Sequence, residues 1–292
     1  MPDATPELSR ERPPAIAFER VTKTFPDGTH AVDGFSLIAL AGQITVLVGL
    51  SGCGKTTLLR TVNRLVEPTS GRVTLDGRDV LAADAVRLRR RIGYVMQNAG
   101  LLPHRRVVDN ICMVPRLLGT PGGRAREDAL ALMDRVGLDR SLARRFPAQL
   151  SGGQQQRVGV ARALAADPAV MLMDEPFGAV DPIVRVELQR DLLRLQREQP
   201  RTVLFVTHDM SEAFALGDRI VLLAEGARIV QAGRPEDFLA HPADDYVARF
   251  IGLDSGAGSL HTTVVDGVPI VVDANSRPVG RLDQERTRGA GR

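Results

Sequence analysis

The chain has almost no lysine. Two of its 38 basic residues, Lys23 and Lys55, are lysines, which leaves 36 arginines against 35 acids and a formal charge of +3. The arginines are scattered among the acids, so they form no basic arm of the kind that tracks nucleic acid. Runs such as Arg87-Leu88-Arg89-Arg90-Arg91 and Arg144-Arg145 fit solvated faces. Aromatic side chains for base stacking are scarce too, with no Trp and two Tyr. The two cysteines, Cys53 and Cys112, make no disulfide framework and fit a reducing compartment. No apolar run approaches the ~20 residues of a membrane span, and residues 1–14 carry no signal-peptide core. Any membrane link is therefore expected through a partner. With 292 residues, 43% hydrophobic and 25% charged, the composition is that of a globular protein with ample core.

What is present is more specific. The run Gly49-Leu50-Ser51-Gly52-Cys53-Gly54-Lys55-Thr56-Thr57 follows an apolar stretch, 44–48, and precedes an apolar helical pattern at Leu58, Leu59, Val62 and Leu65. It fits G-x-x-x-x-G-K-[ST] in its required strand–turn–helix setting. Glycines let backbone N–H groups curl around phosphate oxygens, and the helix behind points its positive end at the same anion. Lys55 is placed to reach the β- and γ-phosphates and Thr56 to ligate Mg²⁺. The expectation is a nucleoside triphosphate site. Cys53 lies inside this loop as a small filler; a regulatory thiol is the competing reading.

A second glycine-rich segment, Leu150-Ser151-Gly152-Gly153-Gln154-Gln155-Gln156-Arg157, opens an alanine-rich helix at 158–166. Its serine hydroxyl and glycine amides at a helix N-terminus suit an anion. Four apolar residues, 170–173, then end in Asp174-Glu175. That pattern reads as a buried parallel strand delivering a Mg²⁺-directed aspartate and a neighbouring general base. The two loops, the acidic strand end and their order resemble the ATP-binding subunits of ABC transporters, over about residues 16–250.

Residues 1–14 carry four prolines and read as a disordered leader. Short strands are expected at 16–18, 35–38, 44–48, 72–75 and 92–96, with hairpin breaks at Asp27-Gly28 and Ala41-Gly42. The pattern turns helical from about 107 to 166, and strands return at 170–173, 202–206 and 220–224 with helices at 183–199 and 211–216 between them. Alternation after the phosphate loop implies an α/β fold with a mainly parallel sheet. The resemblance sharpens this to a P-loop NTPase of RecA-like type, with an N-terminal antiparallel β subdomain and an inserted α-helical subdomain at about 98–166. The expected divisions are a leader at 1–14, an ATP-binding domain at 15–252 and a short extension at 253–292.

The resemblance also implies roles for single residues. Gln97, at a strand end, matches the loop glutamine that contacts Mg²⁺ and the attacking water, although any polar residue closes a strand. His208 matches the switch histidine that contacts the γ-phosphate. Asp181 matches the loop aspartate that crosses the dimer interface, and capping of a helix before Pro182 is a compatible second role. Phe25 stands where the family stacks an aromatic on adenine; a core phenylalanine is the alternative. Glu175 is then the base, Lys55 and Mg²⁺ offset phosphoryl charge, and Thr56, Gln97 and Asp174 form the metal's set. Ser151, Gly152, Gly153 and Gln154 would face the ATP of another protomer. The implied assembly is a dimer, expected to be a homodimer, closing on two ATP.

Residues 62–71, 97–104 and 177–185 most resemble the subunits serving glycine betaine, carnitine, choline and proline-betaine uptake, and 241–252 matches their C-terminal edge. Membrane permease subunits and an extracytoplasmic solute-binding protein are the implied partners, at the cytoplasmic face of the membrane, with residues 98–110 as the coupling stretch. An importer of another small solute, such as an amino acid or sulfonate, is the alternative, and a soluble ABC protein acting on ribosomes or DNA a third. Osmoprotectant relatives often continue into two CBS modules. The roughly 40 residues after Gly252 are too few for one. Residues 268–280 resemble a CBS hairpin, read here as a remnant ending in a disordered arginine-rich tip at 286–292.

Overall fold

A computed structural model describes residues 14–178, 180–253, 260–265, 268–272 and 277–281. The expected leader, apart from Pro14, and the arginine-rich tip lie outside them. The chain divides into two compact units, Met1–Pro235 and Glu236–Arg292, upstream of the 252/253 boundary expected from sequence.

The first unit begins with an antiparallel hairpin of β1 (Pro14–Thr24) and β2 (His30–Leu40). Its turn closes through Phe25 N to Thr29 O and Gly28 N to Phe25 O, both 2.9 Å, and Asp27 Oδ1 accepts from Thr29 N at 3.0 Å. The expected hairpin at Ala41-Gly42 does not form. That turn carries the chain out of the first sheet and into β3 (Ile44–Gly49), the middle of a second one. Breaker residues mark a reversal but not which sheet receives the next strand. The helix α1 (Lys55–Val62) follows, then β4 (Ser70–Leu75) and β5 (Arg78–Asp79), which complete the order β2-β1-β4-β5.

The helix α2 (Ala85–Arg90) leads into β6 (Ile92–Val95). The helical region then runs through α3 (Val107–Ile111), α4 (Met113–Leu117), α5 (Gly122–Arg135), two single 3₁₀ turns and α6 (Gly152–Leu164). Strand β7 (Val170–Asp174), α7 (Pro182–Glu198), β8 (Thr202–Thr207), α8 (Met210–Leu216), β9 (Arg219–Leu223) and β10 (Ile229–Gly233) finish the unit. The second sheet runs β10-β9-β3-β8-β7-β6, parallel except for the edge strand β10. Every residue of β3, β7 and β8 is buried, as a sheet covered on both faces requires.

One apolar cluster joins the two sheets: Ile16, Phe18 and Val21 of β1, Leu58, Leu59 and Val62 of α1, and Leu172, Leu204 and Val221 of the parallel sheet. The first helix after the phosphate loop is thus clamped by buried side chains, each contributing roughly 1.5–3 kcal/mol. Arg89 is exposed, as the solvated-face reading expects, and still reaches the backbone. Its guanidinium donates to Asn63 O at 3.1 Å and Arg64 O at 2.6 Å, capping the end of α1.

The division falls at the first residue of α9 (Pro235–Ala240), and the second unit continues through α10 (Asp245–Phe250), capped by Asp244, whose Oδ1 accepts from Val247 N at 2.9 Å. A three-stranded antiparallel sheet follows, β11 (His261–Val265), β12 (Val268–Val272) and β13 (Pro278–Arg281). The sequence announced the pair within 268–280 but not the partner strand β11, whose run His-Thr-Thr-Val-Val is exposed throughout and lacks a polar–apolar alternation.

Candidate functional site

Two glycines hold the loop between β3 and α1 open. At Gly49 (φ +156°) a Cβ would fall 2.3 Å from the Leu223 carbonyl oxygen, and at Gly54 (φ +103°) 2.3 Å from that of Ala31. Gly54 is also the N-cap of α1, and no side chain caps this helix. Its first-turn N–H donors are therefore left to a ligand, where the helix dipole favours an anion. A pocket of about 180 Å³ lies there, lined by Ser51, Gly52, Gly54, Lys55, Thr56, Thr57 and Glu175. Lys55 is buried and donates from Nζ to Gly49 O at 2.8 Å and Leu50 O at 2.7 Å. Cys53 is buried with its Sγ 3.7 Å from that ammonium, packed beneath Gly49, which fits the filler reading.

Thr56 Oγ1 donates to Asp174 Oδ1 at 2.7 Å, so α1 and β7 meet through a hydroxyl and a carboxylate. The other oxygen, Oδ2, accepts from Tyr94 OH at 3.4 Å and lies 3.7 Å from Arg60 Nη2. Burial, followed by the Asp174 charge, pushes the Tyr94 phenol up from its ordinary pKa. Among the described residues no cluster of three or more His, Cys, Asp or Glu could hold a metal alone. A single carboxylate beside a hydroxyl at a phosphate site nevertheless fits Mg²⁺, which keeps water and substrate oxygens as its remaining ligands.

Glu175 has φ +45°, in the left-handed region that β-carbon residues avoid, and its N–H donates to Val206 O at 3.0 Å. Such a backbone costs roughly 1–3 kcal/mol and holds the side chain where a regular strand would not. Its Oε2 lies 3.2 Å from His208 Nδ1 and accepts from Gln97 Nε2 at 3.4 Å. Six residues singled out from sequence, Lys55, Thr56, Gln97, Asp174, Glu175 and His208, are thereby gathered at one end of the parallel sheet.

Of the other residues singled out, Ser51, Gly52, Gly54 and Thr57 line the phosphate-loop pocket, whereas Phe25, Ser151, Gly152, Gly153, Gln154 and Asp181 do not. Phe25 is half-buried at the hairpin turn and outside the buried core, with Lys23 Nζ 5.2 Å from its ring centroid. Ser151 caps α6 reciprocally: its Oγ accepts from Gln154 N at 3.3 Å, and its own N–H donates to Gln154 Oε1 at 3.1 Å. A Cβ on Gly153 would come within 2.6 Å of Val184 Cγ1, so α6 sits tightly on α7 there. Asp181 is exposed and caps α7, its Oδ1 accepting from Ile183 N at 2.9 Å.

Four contributors escaped the sequence reading. Arg60 is one helical turn beyond Thr56, and Tyr94 is the one phenol on an apolar strand; those spacings were the available signals. The buried Arg162 donates to Ala99 O and Gly100 O, each at 2.6 Å, and burial lowers its pKa. The buried Asn110 accepts from Leu102 N at 2.8 Å and donates to the Leu102, Arg105 and Arg106 carbonyls. Together they pin the stretch after Gln97 at both ends.

A family profile described as ABC transporter matches residues 32–178. The choline transport ATP-binding protein OpuBA of Bacillus subtilis (strain 168) is 48% identical over 239 residues, covering 82% of this chain and 62% of that protein. The glycine betaine uptake system ATP-binding protein YehX of Escherichia coli (strain K12) is 46% identical over 237 residues, 81% of this chain and 76% of that protein. The chain spans about three fifths of the length of the choline and carnitine relatives it matches. Among solved structures, a dimeric ATP-binding cassette in a post-hydrolysis state, bound to ADP and Pi, is 32% identical. It superposes with a TM-score of 0.69 and covers 75% of this chain and 98% of that one.

Proposed function

The chain belongs to the ABC transporter family of ATP-binding proteins, and from that premise we propose that it hydrolyses ATP to power an importer of quaternary amines. Glycine betaine, carnitine, choline and proline betaine are the solute class, named by their likeness to the relatives above. The observation that carries the hydrolysis is the carboxylate of Glu175, 3.2 Å from His208 and 3.4 Å from Gln97, at the pocket of Lys55 and Thr56.

In this mechanism the loop amides and Lys55 cradle the β- and γ-phosphates. Thr56 and Asp174, with Gln97, hold Mg²⁺, which supplies charge neutralisation when bound. Glu175 orients the attacking water and takes its proton, and His208 faces the γ-phosphate. Phe25 stacks on the base. Ser151, Gly152, Gly153, Gln154 and Asp181 serve the ATP of a second copy, so each of two sites is shared between two chains. Closure on ATP and opening after hydrolysis then move a permease bound through residues 98–110, which receives solute from an extracytoplasmic binding protein. No helix among the described residues is long and apolar enough to cross a membrane; the attachment is peripheral, at the cytoplasmic face.

The test is uptake of labelled glycine betaine, choline, carnitine and proline betaine in cells carrying the wild-type chain or Lys55→Ala. Loss of one or more of these uptakes in the variant is the expected result. Uptake unchanged for all four would remove the quaternary-amine assignment and redirect the search to another small solute.

A further inference from the structure

Behind the site, two charged residues of different helices meet between the loop of Asp181 and the loop of His208. Arg185 of α7 donates from Nη2 to Val180 O at 3.4 Å, beside Asp181. Its Nη1 donates to Asp209 Oδ2 at 3.4 Å, beside His208. Its Nε is buried, finds no hydrogen-bond partner among the described residues, and lies 3.8 Å from Glu212 Oε1 of α8. The Glu212 carboxyl is buried and accepts the Thr207 hydroxyl at 2.6 Å through Oε2. Thr207 Oγ1 in turn accepts from Asp209 N at 3.0 Å. His208 is therefore held on both sides, through Thr207 by Glu212 and through Asp209 by Arg185.

We propose that Arg185 and Glu212 are positioning residues that tie the Asp181 loop to the His208 loop, so that docking of Asp181 on an opposing subunit fixes the histidine in its place beside Glu175. The proposal rests on the composite-site reading given above. An ion pair serving only to join α7 and α8 would need no contact beyond the two helices. This one sends two guanidinium nitrogens to the loops that carry Asp181 and His208. A planar five-donor group suits the task, because it serves a carbonyl, a carboxylate and a second carboxylate at once, which an ammonium does not. The bridge touches neither the pocket lining nor the Thr56–Asp174 pair, so its loss should act on turnover and leave nucleotide binding intact.

The experiment measures Mg-ATP hydrolysis by the full chain for Arg185→Ala, Arg185→Lys and Glu212→Gln, each alone and combined with Asp181→Ala. Arg185→Ala is expected to lower kcat about 10–100-fold with the KM for ATP within about 2-fold of wild type. In the Asp181→Ala background the same change should add less than about 2-fold, because two residues acting through one connection do not contribute independently. Arg185→Lys should recover only part of the rate. Should Arg185→Ala not fold, Arg185→Lys and Glu212→Gln complete the same cycle. Independent, multiplying losses, or a raised KM at unchanged kcat, would overturn the bridge. Lys55→Ala is the control: if it is inactive and the cycle is additive, only the bridge fails. Wild-type hydrolysis by Lys55→Ala would instead overturn the site itself and the bridge with it.

Discussion

The phosphate loop and the 151–157 segment use the same materials, glycines at the start of a helix, and finish them differently. In the first, no side chain caps α1, the lysine is buried, and the pocket already includes the carboxylate of Glu175. In the second, Ser151 and Gln154 satisfy each other's backbone donors on an exposed surface. One reserves its donors for a ligand within its own chain; the other is a self-capped end. A self-capped serine gains from an outside anion only if that anion arrives on another surface. The asymmetry fits the shared site proposed above, in which one segment would bind and the other complete.

Breaking the two halves separately gives the largest expected effects. Lys55→Ala should lower ATP hydrolysis by about 10³-fold or more, since a buried charge on the transferring phosphoryl is lost. Ser151→Ala should lower it by about 10–100-fold and cost about 1 kcal/mol in the cap of α6. Mixing the two impaired chains is the sharper test. A mixed dimer has one site with an intact phosphate loop from one chain and an intact serine from the other. Equal mixing should restore roughly a quarter of wild-type activity, from one intact site in half of the dimers. A mixture no more active than its components would mean that the halves do not meet between chains.

Between the two halves runs α6, and it connects them within one chain. Its N-terminus carries Ser151, and near its other end Arg162 grips the Ala99 and Gly100 carbonyls beside Gln97. Arg162→Met should cost about 2–4 kcal/mol, the loss of two charged hydrogen bonds that leaves two carbonyls unsatisfied, and should lower hydrolysis by displacing Gln97. Chemical denaturation alongside kcat checks both. A stable variant with wild-type turnover would show that the loop holds its shape without α6, and the two halves would then be independent.

The sequence carried one half of this comparison better than the other. Glycine spacing, Lys55, the Asp174-Glu175 pair and the alternation of strands and helices follow local rules, so the phosphate site and the parallel sheet were legible. Bringing Gln97 and His208 to Glu175 is a property of parallel register, with three strand ends side by side in the sheet. Only the family resemblance supplied it in advance. Residues that act across a long stretch of chain were invisible: Arg162 spans 62 positions to Gly100, and Arg60 was simply another arginine among 36. The Ala41-Gly42 turn failed for a related reason, because a local reversal does not specify which sheet the chain enters. Strand β11 lacked the alternation by which a strand is read.

The smallest expected effect probes the bridge behind the complete half. Glu212 is buried, and its burial pushes the carboxyl pKa above the ordinary glutamate value; the Thr207 hydroxyl bond and the Arg185 charge act against that shift without reversing it. A carboxyl whose pKa is raised on folding binds its proton more tightly in the native chain. Its stabilising contribution is therefore full below the unfolded glutamate pKa, about 4.3, and is lost as pH rises through the native value. Glu212→Gln keeps an oxygen to accept from Thr207 and cannot ionise, so it lacks this dependence. The melting temperature of the variant minus that of wild type should accordingly climb as pH rises from about 4 and then level off, by about 1–3 °C in all. A difference that falls with pH would mean that the Thr207 bond and the Arg185 charge outweigh burial and that the carboxyl pKa is lowered on folding.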